Sequence, residues 1–259
     1  MIIITMGMHR SGTSALAGLL HHSRIVMGED HNFIPKPSSE NTKGFYENYQ
    51  FRKINDYIIE KSGYVVKSWD PDIPKMKSGF FTKYNIRKIL RKYDRRYDNW
   101  GWKDPRTCLT LAIWLKEIIE LNMITDCKLV YIVRNPYSVA HSMVARKNTD
   151  YETALSLWIK YNECALEAID RHNTDTFYLT YEDLCGNPVE MFRSVADFIK
   201  VPFDKTIIRE FIDPGLNRSR VADVKYEVSY NLDKDVNRVR EVIHNRLNKK
   251  FYGENRNVT

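Results

Sequence analysis

Apolar positions along this chain follow two rhythms. Ile2–Met6 is an unbroken, largely β-branched apolar run, and so is most of Lys128–Val133; both predict buried strands, and Thr176–Thr180 predicts a third. Between them the apolar residues recur at helical spacing. Ser14–His22 predicts a helix, and Asn48–Ser62 another, with Phe51, Ile54, Tyr57 and Ile58 on one face. Residues 80–98 set Ile86, Ile89, Leu90, Tyr93 and Tyr97 opposite a basic face, the pattern of an amphipathic helix. Pro105 is suited to the first turn of a helix reaching about Leu121, and further helices are expected at about 137–147, 151–171, 188–200 and 233–248. Proline and glycine mark loops at 32–48 and 70–79. Strands alternating with helices imply a mostly parallel sheet covered on both faces. The expectation is one α/β domain over residues 1–259, with a core at about 2–200 and a helical C-terminal segment at about 201–250.

Composition narrows the class. Of 259 residues, 43 % are hydrophobic and 28 % charged, which excludes collagen-like and disordered chains. No apolar run approaches the ~20 residues of a membrane-spanning helix, and the N-terminus lacks the basic flank of a secretory leader. The four cysteines show no paired spacing, so neither a zinc site nor a disulfide framework is expected and a cytoplasmic location is. The net charge of +7 is concentrated: between Lys75 and Arg106 stand 11 basic and three acidic residues, and the remainder is close to neutral. That stretch reads as a solvated helix face or as a polyanion-binding surface.

The chemistry begins after the first strand, at Gly7-Met8-His9-Arg10-Ser11-Gly12-Thr13-Ser14. Gly12 lets backbone approach an anion without a Cβ, while the following helix offers unpaired amides and the positive end of its dipole. Ser11, Thr13 and Ser14 add hydroxyl donors and Arg10 a planar cationic fork. The two glycines have Walker spacing, yet Thr13 stands where a nucleotide kinase or NTPase carries lysine.

The loop resembles the 5′-phosphosulfate loop of sulfotransferases that use 3′-phosphoadenosine 5′-phosphosulfate (PAPS). Two more blocks extend the likeness. Val133-Arg134-Asn135-Pro136, with Ser142 eight residues after the arginine, is similar to the family's 3′-phosphate motif, and Tyr181-Glu182-Asp183-Leu184 to an element whose tyrosine lies near the nucleotide base. The likeness runs from about residue 2 to 200 and is nearest to bacterial-type members with GMHRSGTSAL, KGFYEN and WKDPRT blocks. It departs from the cytosolic small-molecule enzymes in having Arg10 for their loop lysine and no C-terminal glycine-rich element, so Arg218 and Arg220 are only weak candidates to complete the 3′-phosphate site.

The resemblance implies a P-loop NTPase-like fold and transfer of a sulfuryl group from PAPS to a hydroxyl or amine, with no metal. Arg10, Ser11, Gly12, Thr13, Ser14, Arg134, Ser142 and Tyr181 would bind the donor, and Arg10 would also steady the leaving phosphate. Lys103 in Trp102-Lys103-Asp104-Pro105-Arg106 would contact the sulfonate. Glu47 is the first candidate for the base, with Glu29, Asp30 and His31 next; Glu47 alternatively reads as an acid favoured at a helix N-terminus. Asp104 reads as a helix cap and Arg106 as its partner or an acceptor contact. A nucleotide kinase or NTPase and a non-catalytic polyanion-binding protein are the alternative functions. The acceptor, whether small molecule, glycan or lipid, is not legible.

Overall fold

The computed structural model describes residues 1–37, 41–146, 149–212 and 228–247. Its centre is a four-stranded sheet, all parallel, in the order β2-β1-β3-β4: β1 Ile2–Met6, β2 Trp100–Lys103, β3 Cys127–Val133 and β4 Thr176–Thr180. The unbroken apolar runs have a direct reason. Both faces of β1 are covered, and alternation sends Ile2, Ile4 and Met6 into one core and Ile3 into the other. Strand β3 divides in the same way, with Leu129, Tyr131 and Val133 on the first face and Val130 and Ile132 on the second.

The helices fall between these two cores. The larger is formed with α2 (Tyr49–Lys61), α3 (Phe80–Asp94), α4 (Thr107–Glu120), α5 (Pro136–Val144), α6 (Tyr151–His172) and α10 (Tyr230–His244). The smaller lies under α1 (Thr13–His22), α7 (Tyr181–Gly186), α8 (Pro188–Ile199) and α9 (Lys205–Phe211). An aromatic wall fills the larger core beside β2: Phe51 stacks on Trp102 at 4.6 Å, and Trp102 meets Trp114 at 4.8 Å.

Several expectations change. Strand β2 has no apolar run to announce it, being four residues with a glycine inside. Gly101 is there because β1 approaches so closely that a Cβ would lie 1.8 Å from the Ile3 carbonyl oxygen. Helix α3 ends at Asp94 rather than 98, since the chain must turn into β2 and the Tyr97 hydroxyl is held by Glu29 at 2.8 Å. Pro105 lies in a turn before α4, whose first helical residue is Thr107. Tyr181 opens a six-residue helix, α7, capped by Thr180.

Candidate active site

Parallel strands deliver their carboxyl ends to one edge of the sheet, where α/β proteins place ligands. Each of the four ends carries a residue singled out from the sequence: the Arg10 loop after β1, Lys103 closing β2, Arg134 after β3 and Tyr181 after β4.

The β1 end is shaped by backbone conformation. Arg10 and Gly12 both have left-handed φ, 70° and 84°. At Gly12 a Cβ would stand 2.2 Å from the Tyr181 ring, so the missing side chain is what lets Tyr181 pack under the loop. Helix α1 then starts on Gly12 with no side-chain cap, leaving its first amides without helical acceptors. Among the described residues the buried Ser11 hydroxyl has no hydrogen-bond partner, which leaves it able to serve a polar ligand at this loop.

Contacts across the strands hold the cations. Arg10 Nε donates to Ser142 Oγ at 2.9 Å, which joins the loop to α5. Arg134 Nη1 donates to the Arg10 carbonyl at 3.0 Å, and its guanidinium lies over the Tyr181 ring at 4.6 Å. The indole of Trp158 fixes Arg134 in turn, donating to its carbonyl at 3.2 Å. Burial raises the Tyr181 phenol to about 12, so it stays neutral at physiological pH. Arg10, Gly12, Arg134, Ser142 and Tyr181 thus form one constellation.

A second constellation surrounds β2. Lys103, 2 % exposed, donates to Glu47 Oε1 and to the Phe45 carbonyl, each at 3.0 Å, and to Ser14 Oγ at 3.2 Å. Ser14 lies on the first turn of α1, so Lys103 bridges the start of that helix and Glu47. Arg106 approaches the other Glu47 oxygen at 3.7 Å, Asp104 Oδ1 at 2.9 Å and Asp56 Oδ1 at 2.9 Å. Asp104 also accepts from the Arg106 amide at 3.0 Å, capping the turn rather than α4 itself. Burial alone would raise the Asp104 carboxyl, but Arg106 and Asn55 hold it below the usual range.

Glu47 is not the helix-terminal acid of the alternative reading. It precedes the cap of α2, a role filled by Asn48, whose side chain accepts from the Gln50 amide at 3.1 Å. Glu29 is engaged elsewhere, accepting from Tyr97 and pairing with Arg96 at 2.5 Å. Asp30 is exposed, and His31, also exposed, stands 3.4 Å from Glu29. Of the four candidate bases only Glu47 is joined to Lys103. Arg218 and Arg220 lie outside the described residues.

Two further residues join these constellations, Asn55 unannounced by the sequence and His9 legible in it as a residue that shapes the loop. Asn55 is fully buried in α2, donates to Asp104 Oδ2 at 2.9 Å and Thr107 Oγ1 at 3.2 Å, and accepts from Thr110 and Trp114, each at 2.7 Å. A lone amide sharing a helix face with Phe51 and Ile58 was its available signal. His9 is the other: burial, and then Arg106, lower its pKa to about 3. It packs edge-on against Trp69 at 5.3 Å and Tyr161 at 5.7 Å, which makes it a neutral wedge between the two constellations.

Comparison with known proteins defines the class. The model of the Sulfotransferase family matches residues 2–205, and the chain belongs to that family of transferases. Among curated proteins it is similar to the protein-tyrosine sulfotransferase A of Caenorhabditis elegans, 22 % identical over 215 residues that make up 78 % of this chain and 50 % of that one. The chain spans about half the length of the curated relatives it matches. Among solved structures, the sulfotransferase domain from the curacin biosynthetic pathway superposes with a TM-score of 0.58 at 18 % identity, covering 95 % of this chain and 98 % of that one. The sulfotransferase domain of the Synechococcus PCC 7002 olefin synthase gives 0.55 at 18 %, covering 94 % of each. Both share the fold.

Proposed function

We propose that this protein transfers a sulfuryl group from PAPS to a hydroxyl or amine. The observation that carries the reading is the convergence of Arg10, Lys103, Arg134 and Tyr181 at the four strand ends of a sulfotransferase-family fold. In this reading the Ser11–Ser14 segment cradles the 5′-phosphosulfate with its amides and hydroxyls. Arg134 and Ser142 hold the 3′-phosphate, and Tyr181 lines the nucleotide site.

The transfer requires the acceptor oxygen or nitrogen to bond to sulfur as the bond from sulfur to the bridging phosphate oxygen breaks. Arg10 stabilises the charge that develops on that oxygen, and Lys103 the charge on the transferring sulfonate. Glu47 takes the acceptor proton. Its coupling to Lys103 at 3.0 Å serves this role, because an arriving sulfonate competes for the same ammonium and leaves the carboxylate to the acceptor. No residue in the scheme calls for a metal, and no cluster of metal-ligating side chains exists among the described residues.

A thermal-shift panel with adenosine 3′,5′-bisphosphate, ATP with magnesium, and NAD tests the donor. At one hundred times the dissociation constant the bisphosphate should stabilise the fold by about 2.7 kcal/mol, with no shift from the other two. Stabilisation by ATP with magnesium alone would instead select the kinase reading.

A further inference from the structure

Among the described residues, exposed apolar side chains gather in one segment of the chain. Among the described residues ten large hydrophobic side chains are exposed, and six of them lie in the α2–α3 unit: Tyr49, Tyr57, Val65, Phe80, Phe81 and Tyr84. Phe80 and Phe81 are the most exposed of these, at 79 % and 71 %, and their rings touch each other at 5.8 Å rather than any core. Two adjacent phenylalanines at a helix start, both in water, are costly unless something covers them.

The basic stretch noted in the sequence occupies the same helix. Going down α3 from Phe80 and Tyr84, the outward positions become Arg87, Lys88, Arg91 and Arg95. Arg87 is drawn back to the buried Glu117. Lys83, Lys88, Arg91 and Arg95 have no carboxylate within ion-pair distance among the described residues, so their charge is directed outward. A shallow groove of about 870 Å³ along α3, lined by Phe80, Tyr84, Lys88, Arg91 and Arg95 among others, joins apolar and basic positions into one surface.

We propose that this α3 face docks on an anionic lipid bilayer. Phe80, Phe81 and Tyr84 would enter the interface between headgroups and acyl chains, while Lys88, Arg91 and Arg95 meet lipid phosphates and carboxylates. A soluble polyanion would use the cations but gives no reason for two phenylalanines to stand in water, and that favours the bilayer. The docking does not depend on the donor assignment, and the substitutions that test it lie outside the proposed transfer machinery.

Co-sedimentation of the whole chain with phosphatidylcholine vesicles, with and without phosphatidylserine, tests this. The protein should partition onto the phosphatidylserine-containing vesicles and not onto the neutral ones. Phe80→Ser with Phe81→Ser should weaken partitioning about tenfold or more, and Lys88→Gln with Arg91→Gln about thirtyfold. All four side chains are exposed or partly so, and melting curves confirm that the variants fold. Equal absence from both vesicle types overturns the proposal. So does binding that survives loss of both phenylalanines and is matched by soluble polyglutamate, which would make the face a polyanion site.

Discussion

The two ends of the candidate site are built from different materials. The end at β1, β3 and β4, the phosphate end of the proposed reading, rests on backbone conformation and ring packing: left-handed Arg10 and Gly12, a carbonyl holding Arg134, and Tyr181 filling the space that Gly12 leaves. The β2 end rests on charge, with Lys103 and Arg106 meeting Glu47, Asp104 and Asp56 in an interior anchored by Asn55. A rigid backbone cradle suits an anion of fixed shape, whereas a compensated network suits a proton and a group in transit. Backbone changes should therefore disable only the first end, while loss of a charged group should damage whichever end it is taken from.

The largest expected effect is that of Arg10→Ala. Losing a donor to the developing oxyanion should lower turnover by about 10²–10³, with Arg10→Lys retaining part of it. Unchanged turnover in a steady-state assay would remove Arg10 from the chemistry. Next comes Glu47→Gln, expected to lower turnover about 10²-fold while adenosine 3′,5′-bisphosphate binds as before. It also leaves the buried Lys103 without a carboxylate, at a cost of about 1–3 kcal/mol in stability, so rates belong well below the melting temperature. A stability loss with turnover intact would make Glu47 a strut for Lys103 and nothing more.

Gly12→Ala makes the opposite cut. Strain at φ 84° and the clash with Tyr181 should cost about 2 kcal/mol in stability and weaken the bisphosphate, leaving the Lys103–Glu47 pair in place. An unaltered melting curve would mean that the loop tolerates a Cβ and that the cradle is less rigid than described.

The smallest effect lies on the seam, at His9. Its folded-state pKa of about 3 against 6.5 in the unfolded chain means that acid protonates the unfolded state first, so stability present at neutral pH is lost as pH falls through 6.5 toward 3. By pH 5.5 the loss should be about 1.4 kcal/mol. Subtracting the pH dependence of a His9→Gln variant from that of the parent isolates this contribution. Parallel curves would show that His9 is not held neutral.

The phosphate end was the more legible of the two in the sequence. A strand, a glycine turn with hydroxyls and a helix follow one another over 13 residues, so local order carries the site. Arg134 and Tyr181 likewise follow strands that their apolar runs announce. At the β2 end the partners are remote in sequence: Lys103 meets Glu47 across 56 residues, and Asn55 meets Asp104 across 49. The strand that positions them is too short and too glycine-interrupted to have a pattern. Lys103 is legible through motif likeness and Glu47 through its place between a loop and a helix beside two aromatics, but their pairing, and the buried amide supporting it, require the tertiary structure. The choice of Glu47 over Glu29 was open for the same reason, because only the fold shows Glu29 committed to Tyr97 and Arg96.

A site for a nucleotide with a 3′-phosphate at the edge of the sheet is tested most directly through Arg134. Calorimetric titration of the parent and of Arg134→Ala with adenosine 3′,5′-bisphosphate and with adenosine 5′-phosphate isolates the contribution of that one group. The parent should prefer the bisphosphate, and the variant should lose about 1.5–3 kcal/mol more toward it than toward the monophosphate, since the charge-assisted hydrogen bond to the 3′-phosphate is lost in addition to the Arg10 carbonyl and Tyr181 contacts that serve both ligands. Equal weakening of both ligands, or a parent indifferent to the 3′-phosphate, would contradict such a site.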